Sequence, residues 1–407
     1  MSQLPARKAV LVFSAFALAY FLSALIRAIT ATLAPTLVQE FKLHARDLGL
    51  LAGGYFLGFS ATQLPLGRWL DRLGPKRVEM AFLSLALVGC LAFALASSFW
   101  GLLLARVLCG AGVSACLMAP LTGYRRWYAP EHQMRANSWM LMVGAFGMVA
   151  STLPVQWLMP LLGWRGIFVL LGALVALAVL AIAWQSPAWQ TEPAAAVPEE
   201  GVLASYREVW RHPYFRKLAP LGFFNYGGLV ALQTLWAGPW MVKVVGYTPL
   251  QAATGLFWLN VSMLLAYWLW GWANPWLARQ GHTADRLIAL GLPLNFVLFA
   301  ILLIAAGAID TGATPLFSLM AVSCTVCALA QPAVGMAFPA ALAGRALSAY
   351  NLVIFSGVFA VQWGIGLLLD GFRALGLAEV PAYQAAFGTY GLCCVAAYMY
   401  FLRAKAP

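Results

Sequence analysis

The chain has 407 residues, of which 63% are hydrophobic and 9% charged, with a mean hydropathy of +0.81. Too little polar surface remains to coat a water-soluble core, which excludes a soluble globular domain. The net charge of +12 is spread over short loops rather than gathered on a face interleaved with aromatics; that excludes a nucleic-acid binder and assigns the charge to membrane topology.

A bilayer crossing needs about 20 apolar residues. Twelve such runs follow in order, at about 10–37, 47–69, 78–97, 100–124, 136–160 and 165–185, then 217–243, 250–274, 287–308, 315–338, 347–373 and 383–403. The first is too long for a cleaved signal peptide and is expected to stay as a span. With both termini on the cytoplasmic side, 18 loop Lys and Arg fall on that side and 5 on the other, and the positive-inside rule selects this orientation. Residues 1–189 form one six-helix bundle on this reading and 215–407 a second. The segment 190–214 is a linker rich in Ala, Pro and Glu, with Tyr206, Val209 and Trp210 spaced for an interfacial helix. A plain loop there is an open alternative.

Within the first run, Arg27 lies in YFLSALIRAITATLAP. A charge at membrane depth costs at least about 2.5–3.5 kcal/mol and usually faces a water-filled cavity. A guanidinium that snorkels to the interface is the competing explanation.

Between the second and third runs stands Gly67–Arg77, GRWLDRLGPKR. Its pattern, Gly67, Asp71, Arg72, Gly74, Lys76 and Arg77, resembles the loop between the second and third helices of the major facilitator superfamily. A degenerate copy occurs at Asn274–Ala284, where a shift of 207 places Trp69, Leu70, Arg72 and Gly74 over Trp276, Leu277, Arg279 and Gly281. RANSWM at Arg135 is echoed by RALSAY at Arg345. The resemblance implies an all-α membrane fold of twelve transmembrane helices in two pseudo-symmetric bundles, enclosing a cavity open to one side at a time. It also implies a cytoplasmic gate in which Asp71 meets the helix start near 346–348.

The setting of Arg27, with Tyr20 before it and Pro35 eight residues after, resembles the first helix of the organophosphate antiporters and anion:cation symporters. That resemblance gives Arg27 the substrate's anionic group, a role suited to the bidentate guanidinium fork. Arg106, Gly110 and Gly112 in ARVLCGAGVSA match the Arg-x-x-x-Gly-x-Gly pattern of the superfamily's fourth helix, which implies a coupling or structural role. All 13 acidic residues and all 4 histidines fall in loops or helix ends on this assignment, Glu79 included. The membrane core is therefore expected to be net positive and without a titratable carboxylate, which favours an anionic substrate. Anion exchange, or a proton carried on the substrate, then suits coupling better than a carboxylate relay.

The second half offers neutral candidates for substrate contact. They are Asn225, Tyr226, Gln233 and Trp236 on the seventh span, Trp258 and Asn260 on the eighth, and Asn351 and Gln362 on the eleventh. Interfacial belts account for most such tryptophans. The seventh span carries no basic residue, unlike the organophosphate antiporters, so a carboxylate is expected rather than a phosphate ester.

Cys324 and Cys327 have C-x-x-C spacing but sit in an apolar helix without a histidine or second pair, so packing rather than metal or redox chemistry is expected. No cofactor, metal site or nucleophile–base pair is expected, and the chain is not read as an enzyme. The expectation is a monomeric, multi-pass transporter of a bacterial-type inner membrane, importing a small organic anion by proton symport or exchange. Efflux of drugs or amphipaths is the alternative; GAFGMVASTLP at Gly144–Pro154 lacks the Gly-Pro pair of drug–proton antiporters. A transport-dead ligand sensor is the second alternative.

Overall fold

The computed structural model describes residues 4–187, 189, 206–305 and 312–404, and every regular element among them is helical. Six helical assignments cover the first half: α1 (Ala6–Phe41), α2 (Ala45–Leu95), α3 (Phe99–Gly112), α4 (Met118–Trp127), α5 (Pro130–Ala150) and α6 (Leu153–Gln185). Eight helices of the chain are long and apolar enough on their own to cross a bilayer. Four further passes come from interrupted or less apolar helix: α2 up to its break at Gly74, α3 with α4, α5, and the pieces between Pro213 and Lys243. The result is a twelve-helix, multi-pass membrane fold.

The chain divides into two compact units. One comprises Met1–Leu33 with Gly54–Ala195, the other Ala34–Gly53 with Ala196–Pro407. The expected boundary near residue 190 lies outside the described residues, and Ala34–Gly53, the far end of the first helical hairpin, goes with the second unit.

Local chemistry sets the helix ends in both units. Ser98 caps α3 by accepting from the Gly101 N–H at 3.3 Å, and Thr283 caps Ala284–Ile304 by accepting from the Arg286 N–H at 3.3 Å, each satisfying a donor that a helix start leaves open. Gly74 interrupts α2 with φ 79 and ψ 163, a conformation essentially reserved for glycine. Two residues on, the Lys76 ammonium donates to the carbonyls of Ala183 and Ser186, at 2.6 and 3.1 Å. A cation there meets the negative end of α6. In the motif's second copy Gly281 also has φ +79. The Asp71 side chain lies outside the described residues.

Inside the first unit, α2 and α3 cross at backbone contact. A Cβ on Gly110 would collide with the Tyr55 backbone, and one on Gly112 with Ala86; small residues at such crossings are what a membrane interior uses for close packing. The apolar run 100–124 is not one helix, for 113–117 is a turn between α3 and α4.

The second unit has its own interruptions. The pass from Pro213 to Lys243 contains two π turns, Gly222–Tyr226 and Leu232–Trp236. The pass from Ala313 to Met336 holds a 3-10 turn at Thr325–Leu329, where Cys324 lies with its thiol donating to the Asn225 carbonyl at 3.6 Å. Residues 206–211 are helical, with Val209 buried and Trp210 exposed, the amphipathic arrangement expected there. At one end, Lys217 pairs with Asp285 at 2.6 Å, and the Tyr214 hydroxyl donates to the same carboxylate at 2.7 Å.

Candidate functional site

The polar interior of the first unit is assembled from α1, α2, α3 and the turn that follows. Tyr55 and Phe59, one helical turn apart on α2, stack with centroids 6.2 Å apart. Each ring carries a guanidinium. Arg106 lies 5.1 Å over Tyr55 and Arg27 lies 5.7 Å over Phe59, the face-on placement that a ring's quadrupole favours. Arg27 also faces the Tyr55 hydroxyl, which donates to the Ser23 carbonyl at 3.3 Å.

The two arginines differ in access. Arg106 is fully buried and donates through Nη1 to the Ile26 carbonyl at 2.9 Å, one residue before Arg27. Arg27 is half-buried. One is therefore a strut between α3 and α1, and the other keeps surface on which an anion can land. Below them, Thr62 donates to the Ser114 hydroxyl at 2.8 Å, which ties α2 to the turn after α3. Tyr20 is nearly buried and its ring fills the space beside Gly144 of α5.

One sequence expectation fails in this unit. Glu79 is not a solvated helix end: it is fully buried, and neither carboxyl oxygen has a hydrogen-bond partner. The expected absence of a carboxylate from the membrane core is thus corrected. The reason is helical phase. Glu79, Leu83, Ala86 and Cys90 fall on one stripe of the Arg72–Leu95 span, and all four are buried. That 3.6-residue periodicity was present in the sequence, obscured by the basic residues just before it.

In the second unit the amide candidates pair with one another. Gln233 donates to Asn260 at 2.7 Å, and Asn260 donates to the Leu256 carbonyl at 2.8 Å. Gln362 donates to Thr234 at 2.9 Å, while its backbone carbonyl accepts from the Trp236 indole at 3.0 Å. Its side-chain Oε1 has no partner among the described residues. Gln331 donates to Asn351 at 2.6 Å, and the Tyr226 and Tyr267 hydroxyls meet at 3.5 Å. Asn225 points away from these pairs, donating to the Cys394 carbonyl at 3.2 Å. Trp258 is 55% exposed and stands outside the network, as a lipid-facing tryptophan does. Thr234 belongs to the network and was not singled out in the sequence; a lone threonine in an apolar run gives no signal.

The second unit also contains a cavity of 570 Å³, within the range of small-molecule sites. Pro35, Gln39 and His44 line one side, and Trp236, Lys243 and Arg373 the other.

Several proteins resemble this chain. A hexuronate transporter of Escherichia coli (strain K12) is 29% identical over 160 residues, 39% of this chain and 37% of that protein. A gallate transporter of Pseudomonas putida is 26% identical over 303 residues, 66% and 65% of the two chains. A chloramphenicol resistance protein of Pseudomonas aeruginosa is 26% identical over 255 residues, 61% and 59%. The alignment with the hexuronate transporter thus spans little more than a third of that protein's length. A bacterial homologue of the human lysosomal transporter Spinster, solved inward-facing and unoccupied, superposes with a TM-score of 0.78 at 18% identity over 98% of this chain and 97% of that one, a likeness of fold. The family described as Major Facilitator Superfamily matches residues 16–362. The chain belongs to the major facilitator superfamily: it is a transporter, not an enzyme.

Proposed function

We propose that the protein moves a small organic anion, a carboxylate, across a bacterial-type cytoplasmic membrane, importing it by proton symport or anion exchange. Arg27 carries the reading. Its guanidinium is only half-buried inside an apolar span and shares the Tyr55 phenol with a second guanidinium, that of Arg106. Two cations within reach of one ring make a positive field in a low-dielectric interior, which concentrates anions. The planar fork of Arg27 matches a carboxylate bidentately. Transporters of hexuronate and gallate among the relatives support the same substrate class.

The test is uptake of labelled D-glucuronate and gallate into proteoliposomes, each competed with chloramphenicol. Arg27→Ala is expected to abolish uptake while eluting and melting like the parent. Arg27→Lys keeps charge but loses the fork, and is expected to retain a fraction at best. Losing a charge-assisted contact of about 1.5–3 kcal/mol weakens affinity by roughly one to two orders of magnitude. An Arg27→Ala protein that binds the anion as tightly as the parent would sink the assignment, and transport of chloramphenicol without either anion would favour efflux.

A further inference from the structure

Glu79 has no part in the site around Arg27. It lies on the Arg72–Leu95 span, fully buried. The groups that face it come from two other elements: the Cys116 thiol from the turn between α3 and α4, and the Tyr124 phenol from α4. Tyr124 is also fully buried, and its hydroxyl, like both Glu79 oxygens, has no hydrogen-bond partner. Three unmet polar atoms therefore gather in one dry interior. From α1, Ser23 and Arg27 act on Cys116 rather than on the carboxyl, so the thiol stands between Glu79 and the arginine. On its own element the nearest charged group with a described partner, Lys76, is turned to the end of α6.

An ionised carboxylate without a cation or donor is strongly disfavoured in such a place, whereas the neutral acid is tolerated. The neighbouring element supplies a way to change that. The turn at 113–117 carries Cys116 and breaks the pass formed by α3 and α4, and its Ser114 hydroxyl is anchored to Thr62 of α2 and to the Ala111 carbonyl. A shift of this turn would alter what faces the carboxyl without breaking a helix.

We propose that Glu79 is a proton-binding site of the first unit, holding a proton in the conformation seen here and releasing it when the 113–117 turn moves and water or the Arg27 side reaches it. The ligand is a proton, and the reaction is transfer between the Glu79 carboxyl and water. Its consequence for coupling rests on the reading of the chain as an anion transporter; the protonation itself does not.

Two measurements separate these. First, infrared spectra of reconstituted protein at neutral pH should show a carboxylic-acid carbonyl band that shifts in deuterium oxide and is absent from Glu79→Gln. A Cys116→Ser variant, which places a stronger hydrogen-bonding hydroxyl beside the acid, should move that band. Its absence from the parent, or indifference to both substitutions, would overturn the proposal, and the Cys116→Ser arm decides even if Glu79→Gln fails to fold.

Second, D-glucuronate uptake is followed with and without an inward proton gradient. One proton per monoanion concentrates the substrate up to about tenfold per pH unit. Glu79→Gln should keep glucuronate-for-glucuronate exchange but lose the response to the gradient, and a response equal to the parent's would overturn the coupling role. If the parent moves no glucuronate and no gallate, the anion reading falls while the infrared result still decides Glu79.

Discussion

The Arg106 side chain is enclosed on every side, with a single hydrogen bond to the Ile26 carbonyl and its Nε and Nη2 atoms without partners among the described residues. Such a group gives little net stability, since a charge-assisted bond of about 1.5–3 kcal/mol is offset by desolvation of the remaining donors. Arg106→Met, which fills similar volume and has no donors, is therefore expected to fold with a melting temperature near the parent's and to lose most uptake. A large drop in melting temperature would show that the bond to α1 holds the unit together. Arg27 and Arg106 were legible because each is a lone charge inside an apolar run. Glu79 was not, since it follows Lys76 and Arg77 closely enough to pass for part of the loop, and only its phase with Leu83, Ala86 and Cys90 gives it away. The pairing of Arg27 and Arg106 with a stacked Tyr55–Phe59 ladder was invisible, for it depends on how α1, α2 and α3 cross.

At the scale of elements, the second unit holds the start of α2 through one carboxylate. Asp370, near the end of the Ala340–Ala374 helix, accepts from the N–H groups of Ala45 and Arg46 at 3.2 and 2.9 Å, and Arg373 approaches it at 3.5 Å. A carboxylate on the open donors of a helix start contributes about 0.5–2 kcal/mol. Asp370→Asn removes the charge and turns one acceptor into a donor, so amides 44–48 should exchange with deuterium faster in the variant. Unchanged protection of that stretch would mean that packing alone keeps it in place. Neither this bond nor the interruption at 113–117 could be read from hydropathy, which sees a run of apolar residues and not the path of its backbone. The helix starts at Ser98 and Thr283 were legible in kind, as capping residues before apolar runs.

For the whole molecule, the internal duplication is the feature that sequence and structure share most closely. Gly74 and Gly281, offset by 207 positions, both have φ +79, so the two motif copies fold their loops alike although Ala278 replaces Asp71 in the second. The copies differ in surroundings. A Cβ at Gly74 would strike the Trp189 side chain, while Gly281 has nothing within 4 Å. Left-handed backbone costs a non-glycine residue about 1–2 kcal/mol, so Gly281→Ala should lower stability by about that much and Gly74→Ala by clearly more. Fluorescence-detected melting of the two variants checks this, and equal losses would show that Trp189 yields freely.

The two π turns of the seventh pass have a bearing on descent. A π turn is an α-helix with one residue too many, the trace a single inserted codon leaves. At 3.6 residues per turn each insertion rotates everything beyond it by about 100°, so two of them re-aim Trp236 by more than half a circle relative to an uninterrupted ancestor. Alignments that slide over this segment without a gap will pair the wrong residues from Asn225 onward. Deleting one residue from Leu232–Trp236 should leave a helix that still spans but whose indole no longer reaches the Gln362 carbonyl.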